Sequence, residues 1–267
     1  MLKSEDIRLK SGRRWRVHSG GAGPDLLWLH GLRGVDGNDP LLEALAADHR
    51  VIAPEAPGFN DLDEIADIDN IHELALDYDD LLEGMKLGRM AIAGHSFGAM
   101  MAAEIAAHFP QRATRLVLLA PVGLWNDSYP VADLFGLPVA EMDDMLWHDK
   151  AARDGFATRL AVASAGQAQV EQLIAATRSI AAVTKFVWPI PDKGLRRRLR
   201  RIAAPTLIVF GKDDAFVPVR YAADFAAGIA EAETALIDGA GHMVPYEKTA
   251  EVSALIRRFL GSKGGKT

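Results

Sequence analysis

The stretch Gly94-His95-Ser96-Phe97-Gly98 decides the fold, because of the segments on either side of it. The apolar run at residues 89–93 is typical of a strand, and the run at residues 99–109 is typical of a helix. A serine between glycines at such a sharp turn is strained and exposed at the end of its strand. The pattern indicates a nucleophilic serine, although a serine that only caps the helix would give the same five residues.

Three further motifs follow strand-like runs. Residues 28–34 (Trp-Leu-His-Gly-Leu-Arg-Gly) close a strand near the N-terminus. Residues 211–218 (Gly-Lys-Asp-Asp-Ala-Phe-Val-Pro) follow a second strand, and residues 239–242 (Gly-Ala-Gly-His) follow a third. Together with the serine motif, they resemble the α/β-hydrolase superfamily, and the resemblance covers nearly the whole chain. The chain order serine, acid, histidine is the order that this superfamily uses.

The fold class expected is α/β, with a mostly parallel eight-stranded sheet flanked by helices and an inserted helical lid. Near-continuous apolar runs that alternate with helical patterns are typical of a buried parallel sheet. The resemblance places the core at residues 1–121 and 202–267 and the helical cap at residues 122–201. The predicted strands are 6–9, 15–18, 26–30, 51–54, 90–93, 116–120, 206–210 and 234–237.

The resemblance implies that Ser96 is the nucleophile and that His242 is its general base. A serine hydroxyl is a poor nucleophile at neutral pH, so it needs a base within hydrogen-bond reach. Histidine suits that role, because its ordinary pKa of about 6.5 lets it take a proton during attack and return it to the leaving group.

The catalytic acid is expected after the seventh strand, where two aspartates are adjacent. The family spacing from Gly211 to Pro218 selects Asp214 as the group that orients the histidine. Asp213 stays an alternative in the same loop. Asp127 is a third candidate, because some members of the superfamily place the acid after the sixth strand.

The oxyanion hole is expected from the backbone N–H groups of Phe97 and Leu32. Removing one such donor typically costs about 10²–10³ in rate. His30 and His95 lie inside the motifs and are expected to support these loops through hydrogen bonds. The aromatic residues of the cap as a group predict an apolar pocket beneath it, although for any single one ordinary packing of the cap onto the core is the favoured explanation. The candidates for its lining are Arg33, Trp125, Tyr129, Trp147, Trp188 and Met243.

Cleavage of a carboxylic ester of a small, largely apolar substrate through an acyl-enzyme is the leading functional hypothesis. A serine nucleophile argues against haloalkane dehalogenases and epoxide hydrolases, where the family uses aspartate. Relatives that cleave carbon–carbon bonds of ring-fission products carry asparagine and tryptophan where this chain has His95 and Met243. Carbon–carbon or lactone hydrolysis by the same triad remains the alternative. A non-catalytic receptor on the same fold is the alternative from another class.

Composition and net charge bear on the partners, the cofactors and the location of the protein. The 267 residues include no cysteine, and the net charge of −6 argues against a nucleic-acid partner. We expect a cytoplasmic protein that acts on a small molecule, uses no cofactor and no metal, and does not bind membranes. The sequence does not indicate which oligomeric state the protein adopts. The basic run at residues 195–201 is predicted to be a solvated helix face.

Overall fold

The computed structural model describes residues 2–162 and 168–261, and its centre is one eight-stranded sheet. The strands are β1 Lys3–Arg8, β2 Arg14–Gly20, β3 Asp25–Leu29, β4 Arg50–Pro54, β5 Met90–His95, β6 Ala113–Leu119, β7 Thr206–Gly211 and β8 Ala232–Ile237. The helices are α1 Pro40–Leu45, α2 Ile71–Gly84, α3 Phe97–His108, α4 Val139–Leu146, α5 Lys150–Val162, α6 Ala168–Val187, α7 Leu195–Arg198, α8 Tyr221–Gly228, α9 Val244–Glu247 and α10 Thr249–Gly261. Short 3₁₀ turns occur at Leu62–Ile65, Leu134–Gly136 and Leu199–Arg201.

The sheet has the order β1-β2-β4-β3-β5-β6-β7-β8. Strand β2 is antiparallel to both of its neighbours, while β4, β3, β5, β6, β7 and β8 pair in parallel. The prediction of a mostly parallel eight-stranded α/β sheet is therefore confirmed. Because parallel strands end at the same edge, the loops after β3, β5, β7 and β8 all meet there.

The central strands are apolar along their whole length because helices cover the sheet. Every residue of β7 is buried, and so is every residue of β3 after Asp25. Helix α10 lies at the surface and is amphipathic: its residues Val252, Ile256 and Phe259 are buried, as its 3.6-residue period predicts.

Helices α4 to α7 all lie between β6 and β7, inside the segment 122–201 where the cap is predicted. We call this the cap segment; its standing as a separate domain stays a prediction. It is tied to the core by backbone hydrogen bonds: the Ala132 N–H donates to the Phe216 carbonyl oxygen at 3.1 Å, and the Met243 N–H donates to the Leu146 carbonyl oxygen at 3.1 Å. None of the helices in the described ranges combines the length and apolar character needed to cross a bilayer.

The basic run at residues 195–201 is not simply a solvated helix face, contrary to the prediction. Leu195 and Leu199 are fully buried. Arg198 donates two hydrogen bonds, at 2.6 and 2.8 Å, to the fully buried carboxylate of Glu104 on α3. Arg201 donates to the Ala107 carbonyl oxygen at 2.8 Å. A buried carboxylate needs such a partner, so part of this run fastens the end of the cap segment to α3.

Candidate active site

The turn between β5 and α3 holds Ser96 in a conformation that few non-glycine residues adopt. Its φ of 55° and ψ of −115° lie outside the helical and extended regions, and its flanking glycines explain how the turn closes. A Cβ on Gly98 would lie 2.0 Å from the Leu29 carbonyl oxygen, and one on Gly94 would lie 2.4 Å from the Gly98 carbonyl oxygen. Only glycine lets strand and helix backbones approach this closely.

The structure brings Ser96, His242 and Asp214 together from three loops at the carboxyl edge of the sheet. The distance from Ser96 Oγ to His242 Nε2 is 2.8 Å, and that from His242 Nδ1 to Asp214 Oδ2 is 2.9 Å. All three residues are buried. Asp214 also accepts the N–H groups of Phe216 and Val217 at 2.9 and 2.8 Å, which fixes its orientation. This is the geometry of a nucleophile, a base and a group that orients the base.

The two alternative acids do not contact His242. Asp213 keeps 44% of its side chain exposed and lies 3.8 Å from His148 Nδ1. Its backbone N–H donates to the Ala240 carbonyl oxygen at 3.0 Å, so it helps to join the two loops. Asp127 is exposed and accepts the Trp125 indole N–H at 2.8 Å. Of the three candidates, Asp214 is the one placed to orient the histidine.

The predicted oxyanion donors, the N–H groups of Phe97 and Leu32, belong to residues beside Ser96. Phe97 begins α3, so its N–H has no acceptor within the helix. Within residues 2–162 and 168–261, neither N–H has a protein acceptor. Leu32 and Phe97 line the same cavity as Ser96. Both groups are therefore available to stabilise an oxyanion, and this role stays a prediction.

Two buried, neutral histidines stabilise these loops through hydrogen bonds to backbone groups. His30 Nδ1 donates to the Gly31 carbonyl oxygen at 2.8 Å, while its Nε2 accepts the Ala56 N–H at 2.8 Å. His95 Nε2 donates to the backbone carbonyl oxygen of His242 at 2.9 Å. Burial lowers the pKa of His30, and burial lowers the pKa of His95 to about 3. Both rings therefore act as fixed hydrogen-bonding groups.

An inner cavity opens beside the serine. Its walls are almost entirely apolar and come from the core and from the cap segment. Among the described residues of the lining, Arg33 is the one lysine or arginine, and its guanidinium pairs with Asp143 of α4. The lining residues are Leu32, Arg33, His95, Ser96, Phe97, Val122, Leu134, Phe135, Leu146, Val183, Val187, Phe216, His242 and Met243.

An outer cavity adjoins the inner one. The two cavities share four wall residues, Val122, Phe135, Val187 and Phe216. The outer walls also include Trp125, Trp188 and Ile190, and the last two are 52% and 43% exposed. The four shared residues therefore form an apolar wall between the inner cavity and the outer cavity.

Comparison with known proteins identifies the family. Residues 17–255 match the model of the Alpha/beta hydrolase family. This chain is an α/β hydrolase. Among the curated relatives, 2-hydroxymuconate semialdehyde hydrolase from a Pseudomonas species is 26% identical, over 94% of this chain and 92% of the relative. A 2-hydroxy-6-oxononadienedioate/2-hydroxy-6-oxononatrienedioate hydrolase from Cupriavidus pinatubonensis is 28% identical, over 97% and 96%.

The fold is shared with solved structures at lower sequence identity. Naproxen esterase from Bacillus subtilis superposes with a TM-score of 0.74 at 16% identity, covering 98% of this chain and 92% of that chain. The curated relatives are named hydrolases, and the prediction that the protein is a hydrolase of this superfamily is confirmed.

The predicted pocket residues of this α/β hydrolase fall into three groups. Arg33 and Met243 line the inner cavity, and Trp125 and Trp188 line the outer one. Tyr129 and Trp147 line neither cavity, contrary to the prediction. The Tyr129 hydroxyl donates to the Asp224 carboxylate at 3.0 Å, and the ring of Trp147 packs 5.4 Å from that of Phe156. Aromatic character in the cap segment therefore did not indicate which way a side chain points.

A group of possible metal ligands lies away from the serine. His72, Glu104 and His108 hold ligating atoms within 4.8 Å of one another. Glu104 and His108 lie one turn apart on α3, a spacing that the sequence contains but that was not predicted to form a site. Both oxygens of Glu104 accept hydrogen bonds from Arg198, and His72 Nδ1 lies 3.1 Å from His108 Nε2. The guanidinium already supplies the positive charge that a metal would bring, so an ion pair explains the cluster.

Proposed function

We propose that this α/β hydrolase cleaves carboxylic esters of small, largely apolar molecules through an acyl-enzyme at Ser96. The observation that carries the proposal is the hydrogen-bonded chain Ser96, His242 and Asp214 beside an apolar cavity. A nucleophile with its base and an orienting carboxylate is suited to acyl transfer. The apolar walls favour a substrate whose acyl or alcohol part is apolar.

In the acylation step, Ser96 Oγ attacks the ester carbonyl carbon while His242 Nε2 takes the hydroxyl proton. The carbonyl oxygen becomes an oxyanion, which the N–H groups of Phe97 and Leu32 stabilise. Asp214 holds His242 in the tautomer that presents an unprotonated Nε2, and it stabilises the imidazolium that forms. The tetrahedral intermediate then collapses, the bond to the alcohol oxygen breaks, and His242 Nε2–H protonates the departing alcohol.

In the deacylation step, a water molecule takes the place of the alcohol. His242 removes one proton from this water, whose oxygen attacks the acyl carbon. The second tetrahedral intermediate breaks the bond to Ser96 Oγ, which recovers its proton from His242. The carboxylic acid leaves, and the enzyme returns to its starting state with atoms and charge balanced.

Carbon–carbon bond hydrolysis is the second candidate, because curated relatives are named as hydrolases of 2-hydroxymuconate semialdehyde and of 2-hydroxy-6-oxononadienedioate. Their dienoate and dioate substrates are anionic, and burial of an unpaired carboxylate is costly. In the part of the chain that the structure describes, Arg33 is the one lysine or arginine that lines the inner cavity, and Asp143 already neutralises it. Such a lining suits a neutral ester better than an anionic ring-fission product. Lactone hydrolysis uses the same steps on a cyclic ester.

The test is hydrolysis of p-nitrophenyl esters from acetyl to octanoyl by the wild-type enzyme and by Ser96→Ala. Ser4→Ala is a matched control, because Ser4 is exposed on the edge strand. We expect a chain-length optimum that Ser4→Ala retains and Ser96→Ala loses, with kcat reduced by at least about 10⁴-fold. Parallel assays use 2-hydroxy-6-oxo-6-phenylhexa-2,4-dienoate and a simple lactone. Cleavage of the dienoate without ester turnover would favour the second candidate, and no turnover of any substrate would favour the non-catalytic alternative.

A further inference from the structure

We propose that Glu247 is a positioning residue that couples the cap segment to the histidine of the triad. The inference rests on the proposed function of Ser96 and His242. Glu247 ends α9, five residues after His242, and touches none of the three triad side chains in the described structure. Its effect on the reaction is therefore exerted through the backbone that carries His242.

The two oxygens of Glu247 bind backbone groups from two different parts of the chain. Oε1 accepts the N–H of Gly241 at 2.9 Å, and Gly241 directly precedes His242. Oε2 accepts the N–H of Asp149 at 2.7 Å, at the start of the cap helix α5. One carboxylate thus bridges the histidine loop and the cap segment, and hydrogen bonds to an ionised group are stronger than neutral ones.

The backbones that Glu247 joins also touch each other directly. A Cβ on Gly241 would lie 2.8 Å from the His148 backbone nitrogen and 3.0 Å from the Leu146 carbonyl oxygen. The Met243 N–H donates to that same carbonyl oxygen at 3.1 Å. The residues on both sides of His242 therefore bind cap residues 146–149, and Glu247 supplies the charged group in this contact.

This arrangement links the position of the cap to the geometry of proton transfer. His242 must keep its ring within hydrogen-bond distance of both Ser96 and Asp214, on opposite ring nitrogens. A displacement of about 1 Å in a reacting group costs about 10²-fold in rate. Loss of the Glu247 bridge leaves the N–H groups of Gly241 and Asp149 without this partner and permits such a displacement of the histidine loop.

The experiment compares Glu247→Ala and Glu247→Gln with Glu251→Gln. Glutamine keeps one acceptor oxygen and places an NH₂ group against one of the two donors. Glu251 is an exposed carboxylate on α10, so its substitution is the matched control. The first readout is the rate at which a fluorophosphonate labels Ser96. The second is the downfield ¹H NMR signal of the proton shared by His242 Nδ1 and Asp214. Neither readout requires ester turnover.

We expect Glu247→Ala to slow labelling by about 100-fold and Glu247→Gln by about 10-fold. The downfield proton signal should broaden or shift in both variants. On an ester substrate, kcat should fall in parallel while KM changes by less than about twofold, since Glu247 does not line the cavity. Glu251→Gln should match the wild type in every readout.

Wild-type labelling rates and an unchanged proton signal in both Glu247 variants would overturn the proposal, even if their melting temperatures fell. Should Glu247→Ala not fold, Glu247→Gln carries the test alone. If the wild type labels rapidly and shows the downfield proton but hydrolyses no ester, the proposed function fails. The role of Glu247 is still decided in that case by labelling and NMR.

Discussion

The strand-end loops and the cap segment build the same cavity in different ways. The loops hold Ser96, Asp214 and His242 with side-chain hydrogen bonds of 2.8–2.9 Å, and each residue lies within a short motif directly after a strand. The cap segment contributes scattered apolar side chains, such as Leu134, Phe135 and Val183, from separate elements. The difference shows that the chemistry of this site is encoded locally, whereas the shape of its pocket is set by contacts between distant parts of the chain.

The largest effect is expected from breaking the local chemistry at Asp214. In Asp214→Asn, the amide no longer favours the His242 tautomer with an unprotonated Nε2, so kcat should fall by about 10⁴-fold with little change in KM. The neighbouring substitution Asp213→Asn should change kcat by less than about threefold, because Asp213 is half exposed. Ester kinetics on both variants provide the measurement. A greater loss of kcat in Asp213→Asn than in Asp214→Asn would mean that Asp213, and not Asp214, is the catalytic acid.

The next effect concerns the backbone that supports the chemistry. Gly98→Ala places a Cβ 2.0 Å from the Leu29 carbonyl oxygen, so β3 and α3 must separate. We expect a loss of about 3 kcal/mol or more in the free energy of unfolding, together with loss of Ser96 labelling. Gly88→Ala is the control, because its Cβ would meet nothing within 4 Å. Urea denaturation of the two variants measures the difference. Equal stabilities would contradict the close approach described for this turn.

The smallest effect is expected in the cap segment. Phe135 lies in the wall shared by the inner and outer cavities, so Phe135→Ala should join them and lengthen the space for an acyl chain. We expect the ratio of kcat/KM for octanoyl over acetyl esters to rise by about tenfold. Leu76→Ala removes an exposed apolar side chain elsewhere and should leave the ratio unchanged. An unchanged ratio in Phe135→Ala would mean that substrates do not extend past this wall.

Much of the fold could be predicted because the buried strands are nearly continuous apolar runs. The predicted strand 206–210 differs by one residue from β7, Thr206–Gly211. The predicted strand 6–9 matched β1, Lys3–Arg8, less well. The reason is physical: most of β1 is exposed at the edge of the sheet, so polar residues such as Glu5 leave no apolar signal there.

In the candidate site, too, some residues could be predicted from the sequence and others could not. The residues that the structure brings to His242 could be chosen from motif spacing, since each motif fixes one residue at one strand end. Tyr129 and Trp147 were misplaced because composition does not reveal the direction of a side chain. Glu247 was missed for a different reason. Its partners are backbone N–H groups, and one of them belongs to a residue about 100 positions away in the chain. Every residue except proline has such a group, so the sequence does not indicate which of them Glu247 binds.

The attachment of the cap to the histidine loop also bears on how molecules enter and leave. If the whole cap swung away, residues 146–149 would pull on both neighbours of His242 and disturb the triad at each turnover. The outer cavity offers another route, since Trp188 and Ile190 are half exposed at its rim. Exchange of substrate and product by this route requires rotations of the exposed rim side chains, which occur in nanoseconds, and of the side chains in the wall that the two cavities share.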